Sequence, residues 1–155
     1  MPGAPIRLRK YLSSTDAPPA WPAGIRLIPV STVDPAALHA LLTAAYANGS
    51  GSVPPQSEWW PAVTADKEYE PDLVFVAADE AGTPVGLALC WNSSFIKDVA
   101  VDAGWRGRGI GEALLRTSFA AFQQRGFAHV DLKVVAGNES AIRLYRRLGM
   151  VEAPL

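Results

Sequence analysis

A chain of 155 residues, 49% hydrophobic and 19% charged, has the size and composition of one globular domain, which excludes wholesale disorder. Its single cysteine, Cys90, excludes an intramolecular disulfide framework and a cysteine-based zinc cluster, and with only two well-separated histidines, His39 and His129, no metal site is expected. The net charge of −1 gives no global attraction to nucleic acid or to an anionic membrane, and neither is expected as a partner.

The first residues, Met1 to Lys10, carry charge with no apolar stretch behind it, and no apolar run nears the roughly twenty residues of a membrane span. A soluble cytoplasmic protein is expected. Ile6-Arg-Leu-Arg-Lys-Tyr-Leu12 alternates apolar and basic side chains and reads as a short strand. Asp16 to Gly24 holds three prolines and reads as an irregular connector. Residues 1–24 are therefore an N-terminal extension, with residues 25–155 as a single domain. Ile25 to Val30 is a second strand. Asp34-Pro35 supplies an N-cap and a first-turn proline for a helix with Leu38, Leu41, Leu42 and Ala45 on one face, ended by Asn48-Gly-Ser-Gly51.

Residues 52–72, with four prolines around Trp59-Trp60, read as a loop with a short helix. Leu73–Ala78 and Val85–Trp91 flank a polar turn and form a hairpin, and Phe95 to Val101 is a further strand. A long helix runs from about Gly109 to Arg125, capped by Gly126. His129 to Val135 is a strand, and Ser140 to Leu148 a helix capped by Gly149. The order predicts a mixed α/β sheet domain. Charge is unevenly spread along it. Residues 101–147 carry net +4 and residues 58–80 net −6, a pattern that fits an anion held at one end and a cationic acceptor at the other.

The stretch with the most chemical content is Val99-Ala-Val-Asp-Ala-Gly-Trp-Arg-Gly-Arg-Gly-Ile-Gly111, a strand and a glycine-rich turn opening a helix. Glycines let backbone N–H groups approach a ligand, and a helix N-terminus favours an anion, so this is a phosphate or pyrophosphate site. A Rossmann fingerprint starting at Gly107 fails at Glu112, and no Gly-Lys-Ser/Thr follows for a P-loop.

Arg106-Gly-Arg-Gly-Ile-Gly111, after the strand Asp98 to Asp102, resembles the signature of the GNAT-type N-acetyltransferase superfamily. Val135-Ala-Gly-Asn138 through Tyr145 to Gly149-Met resembles that family's second motif at the expected distance. The resemblance covers about residues 96–151. It implies a mixed, mostly antiparallel central sheet flanked by helices. It also implies transfer of acetyl from acetyl-CoA, as co-substrate, to a primary amine on a small molecule or peptide, by direct attack in a ternary complex. By resemblance, Val99, Ala100 and Val101 offer backbone groups to the pantetheine arm. Arg106, Gly107, Arg108, Gly109, Ile110, Gly111 and Glu112 wrap the pyrophosphate, Asn138 touches the cofactor, and Tyr145 protonates the departing thiolate. The chemistry asks for such parts, because aminolysis of a thioester needs a free amine, a donor for the oxyanion and an acid for the sulfur. Cys90, in an apolar run, reads as an inert core residue.

The chain departs from the family pattern at Lys133, where some members place a glutamate that helps take the amine proton. Asp131 and Glu58 are the substitutes the sequence offers. Trp59, Trp60, Tyr69 and Trp91 read either as packing or as the lining of an acceptor pocket. After the last helix only Met150 to Leu155 remain, too few for the family's closing strand pair. Residues 5–12 are expected to pair there instead, within one chain or exchanged in a homodimer. The alternative function is a non-catalytic acyl-CoA-binding or regulatory module on the same fold, which would have no use for an acid at Tyr145.

Overall fold

The computed structural model describes residues 3–47 and 51–155. Residues 48–50 of the helix stop expected at Asn48–Gly51, and the first two residues of the extension, lie outside the described residues. In chain order the elements are β1 (Pro5–Tyr11), β2 (Arg26–Ile28), α1 (Pro35–Ala45), α2 (Gln56–Ala65), β3 (Tyr69–Ala78), β4 (Pro84–Trp91), β5 (Phe95–Val101), α3 (Ile110–Gln124), β6 (His129–Val135), α4 (Glu139–Arg147) and β7 (Val151–Ala153). The seven strands form one sheet in the order β2-β3-β4-β5-β6-β1-β7. Every neighbouring pair is antiparallel except β5 and β6, as the mixed, mostly antiparallel α/β fold requires. Among the described residues no helix is long and apolar enough to cross a membrane.

Local chemistry accounts for most boundaries. The Asp34 carboxylate accepts from the Ala36 N–H at 2.9 Å, and Pro35 occupies the first turn of α1, where its missing donor costs nothing. β3 begins at Tyr69, four residues before the expected Leu73, and its register with β4 slips between Tyr69 and Val74. Pro71 explains the slip, since it cannot donate to the ladder and strands carry proline at irregularities. Between Pro54 and Pro71 the chain also forms α2, a ten-residue helix with Pro61 inside it.

Helices cover both faces of the sheet. On one, Phe119 and Phe122 of α3 pack against Leu8, Ile96, Val130 and Leu132. On the other, Leu38 and Leu42 of α1 and Trp59 and Val63 of α2 pack against Val74, Val76, Leu87 and Leu89. β1 lies between β6 and β7, paired within its own chain. Leu8 points into the first core, fully buried. Arg7 and Arg9 project from the opposite face and grip Asp131 of β6, at 2.7 Å from Arg7 and at 2.8 and 2.9 Å from Arg9.

That grip is a testable contribution to stability. Burial raises the Asp131 pKa, but the hydrogen bonds from Arg9 and Arg7 outweigh it, so the carboxyl titrates below its ordinary value. A depressed folded-state pKa stabilises above the unfolded value and is lost as the pH falls through the folded one. Asp131→Asn should therefore cost about 2 kcal/mol at neutral pH, less than a fully buried pair because the arginines still reach water. Below about pH 4 the gap between variant and wild type should narrow. Urea unfolding at the two pH values measures both, and equal stability at neutral pH would show that the ion pair holds nothing.

Candidate active site

Two features of β5 open the middle of the sheet. Its pairing with β6 covers only Phe95↔Asp131 and Ile96↔Leu132. The next residue on each strand, Lys97 and Lys133, stands where the strands part. Past that fork, alternate backbone N–H and C=O groups of β5 have no strand partner on that side. On the β4 side the register slips between Cys90↔Ile96 and Leu89↔Asp98, so β5 holds one extra residue. Such a bulge resets the strand's alternation and re-aims the side chains after it. Asp98 consequently turns toward the α1 layer. There the hydroxyl of Tyr46, the residue after that helix, donates to its carboxylate, and Lys97 Nζ donates at 3.0 Å. Asp98 is 7% exposed.

A cleft of about 440 Å³ lies between β5, the glycine-rich turn and α4. Gly107 and Gly109 have φ of +77° and +89°, a conformation that favours glycine. A Cβ added at either would meet no protein atom within 4 Å, so the backbone lies open for close approach. Glu112, the acid in this turn, is held by Arg147 at 2.7 Å and Arg116 at 3.1 Å, which keep its carboxyl below the usual range. Arg106 lines the same cleft. The site is therefore positive at a helix N-terminus, with a backbone cradle of the shape that anions occupy.

A second cleft, of about 270 Å³, lies in the fork, with Lys97, Asp98 and Lys133 among its lining residues. Tyr46, Val99, Asn138 and Tyr145 line both clefts. Burial first, and then the Asp98 carboxylate, push the Tyr145 hydroxyl up to about 12, so it is protonated at neutral pH. The same two causes raise the Tyr46 hydroxyl above its ordinary value.

Of the residues expected at a cofactor, Val99, Ala100, Val101, Arg106, Gly107, Gly109, Ile110, Gly111, Glu112, Asn138 and Tyr145 all line the larger cleft. Arg108 does not, because its guanidinium stacks on the Trp105 ring at 4.6 Å. Asn138 occupies the N-cap position of α4, yet its side chain makes no capping hydrogen bond, so capping does not account for it. Cys90 is fully buried and its thiol is pushed up to about 12 by burial, as an inert core residue would be.

The base candidates are corrected. Asp131 is consumed by Arg7 and Arg9, and Glu58 sits on the exposed side of α2 and lines neither cleft. None of the acids from 58 to 80 lines either cleft. Glu70, for one, pairs with Arg125 at 2.7 Å. Trp60 packs tilted against Trp59 and edge-to-face against Tyr69, with ring centroids 5.2 and 5.9 Å apart, in the α1–α2 core, and all three stay out of the clefts, as does Trp91. Sequence reasoning missed Asp98, Tyr46 and Arg147. A carboxylate inside the apolar run of β5 was a signal for the first, whereas nothing local distinguishes Tyr46 from the apolar row of α1.

Comparison with known proteins gives the family and the fold. The model of the acetyltransferase (GNAT) family matches residues 36–150. A mycothiol acetyltransferase from Thermobispora bispora is 30% identical over 158 residues, covering 92% of this chain and 52% of that protein. A streptothricin acetyltransferase from Streptomyces lavendulae is 37% identical over 90 residues, covering 55% of this chain and 48% of that protein. The structure of a GCN5-related N-acetyltransferase from Sphaerobacter thermophilus superposes with a TM-score of 0.80 at 30% identity, over 96% of this chain and 48% of that one. The chain thus spans about half the length of these relatives.

Proposed function

The chain belongs to the acetyltransferase (GNAT) family, and from that premise we propose that it transfers acetyl from acetyl-CoA to a primary amine by direct attack in a ternary complex. The observation that carries this reading is the junction of the two clefts. A thioester entering from one side and an amine from the other would meet at Tyr46, Val99, Asn138 and Tyr145, beside a buried carboxyl group.

In this reading acetyl-CoA supplies the acyl group as an activated thioester, and the chain supplies position and proton transfer. Arg106 and the backbone of residues 107–112 hold the pyrophosphate at the N-terminus of α3. Val99, Ala100 and Val101 offer the unpartnered edge of β5 to the pantetheine amides, as to an added strand. Asn138 donates from its uncommitted side chain. Asp98, the acid that lines the cleft in the fork, receives the proton of the incoming ammonium. Tyr145, protonated, donates to the departing sulfur.

Release of free thiol from acetyl-CoA in the presence of amines tests the reading. Tyr145→Phe should lower kcat roughly a hundredfold or more while acetyl-CoA affinity stays nearly unchanged. The pH profile gives a second check. With its hydroxyl pushed up to about 12, Tyr145 stays protonated where an ordinary tyrosine begins to ionise. The rate should then not fall between about pH 8 and about pH 10, as it would with an unperturbed phenol as donor. Wild-type turnover in the phenylalanine variant would assign the proton to solvent. Binding without thiol release for any amine would leave a binding module.

A further inference from the structure

The net −6 of residues 58–80 points to a cationic acceptor only if those acids face the acceptor, and none lines the cleft in the fork. The charged groups that do line it are Lys97, Lys133 and Asp98. The two lysines are the first residues past the last β5–β6 pair, one on each strand, so they flank the cleft where the sheet opens. Lys97 Nζ already donates to the Asp98 carboxylate at 3.0 Å. Lys133 is exposed and has no ion-pair partner among the described residues. Facing it across the β1–β6 register is Arg7, and Arg7 and Arg9 between them have the single carboxylate of Asp131. Lys97, Lys133, Arg7 and Arg9 thus outnumber the two carboxylates of Asp98 and Asp131 on and beside this cleft, which is net positive.

From this arrangement we infer that the acceptor is a small amine carrying an anionic group, a carboxylate or a phosphate monoester, anchored by Lys133 with Lys97 beside it. The inference rests on the acetyl-transfer reading above. A cleft of about 270 Å³ suits a molecule of amino-acid size. Inside it the anion would satisfy the unpaired lysine while the amine end lies toward Asp98 and Val99. Lys133 then serves specificity, selecting by its charge what arrives.

Matched pairs of acceptors decide it. Initial rates of thiol release at saturating acetyl-CoA and low salt are compared for glycine, β-alanine and γ-aminobutyrate against their amides, and for O-phosphoethanolamine against ethanolamine. At least one anionic member should exceed its neutral partner in kcat/KM by about tenfold or more, the worth of one charge-assisted hydrogen bond, and the ratio should shrink with added salt. The carboxylate and phosphate arms identify the anion. Lys133→Gln should cut that ratio about tenfold and Lys133→Glu invert it. The melting temperature should hold, because the side chain is exposed. Neutral partners used as well as anionic ones, with the ratio unmoved in both variants, would overturn the inference and keep the transferase. Acetyl-CoA binding with no reaction from any anionic member would overturn it as well. A chain whose melting temperature ignores acetyl-CoA and which releases no thiol with any amine would overturn both readings together.

Discussion

Gly109→Glu is expected to abolish acetyl-CoA binding in a protein that still folds. Gly109 has φ +89° with open space around the position of a Cβ, so the side chain starts into open space and the substitution costs chiefly the strain of a left-handed residue, about 1–2 kcal/mol. A domain with roughly 5–15 kcal/mol of stability survives that. The new carboxylate would stand at the opening turn of α3, in the cleft where Arg106 and the helix N-terminus favour an anion, and would fill and neutralise it. In the wild type, acetyl-CoA at a hundredfold its Kd should stabilise by about 2.7 kcal/mol, a rise of roughly 5–10 °C in melting temperature. Gly126→Glu is the matched control. It has φ +86°, the same open space, and lies just past the far end of α3. Gly109→Glu alone should lose the ligand-induced rise, and Gly126→Glu, whose carboxylate stands at the less favourable C-terminal end of α3, should lose somewhat more intrinsic stability. A full rise in Gly109→Glu would remove the pyrophosphate from this turn.

Deleting residues 3–12 is expected to leave no soluble folded protein. β1 bridges β6 and β7, so its loss bares the edge of β6 along seven residue pairs and detaches β7 entirely. A long bare edge pairs with other molecules. Leu8 leaves the core in the same step, and Leu8→Ala alone should cost about 3 kcal/mol. Recovery of the truncated chain in the soluble fraction with an unchanged melting temperature would show β1 to be dispensable. Leu8→Ala, which spares the backbone pairing, separates the packing contribution from the edge.

The parts of this molecule legible in its sequence are those set by short-range chemistry. The α1 cap at Asp34, the span of β6, the glycine turn and the residues flanking it follow from residue types within a few positions of one another. The place of β1 could be inferred because the C-terminal segment is short and Ile6 to Leu12 alternates. What escaped reading depends on contacts between distant segments. Asp131 looks available in a strand until Arg7 and Arg9 arrive from 124 and 122 residues away. Asp98 looks like one more strand residue until a one-residue bulge turns it toward Tyr46. Periodicity cannot register a bulge, because the extra residue shifts the phase of everything after it. The charge count over 58–80 failed for a related reason. Net charge along a segment says nothing about which side chains turn toward a cleft.

The place of β1 between β6 and β7 also sets the order of events during synthesis. Its partner β6 leaves the ribosome some 120 residues later, on the order of 6–25 s at ordinary elongation rates. Through that interval a strand-forming segment waits with no mate, at the stage when nascent chains aggregate most readily. Arg7, Arg9 and Lys10, set around Leu8, give the waiting segment like charges that repel its copies on neighbouring ribosomes. When β6 emerges, the one carboxylate of Asp131 grips two of those three cations and offsets one of their charges. The arginines that keep the segment apart from its own kind are thus the ones that fasten it once the right edge appears.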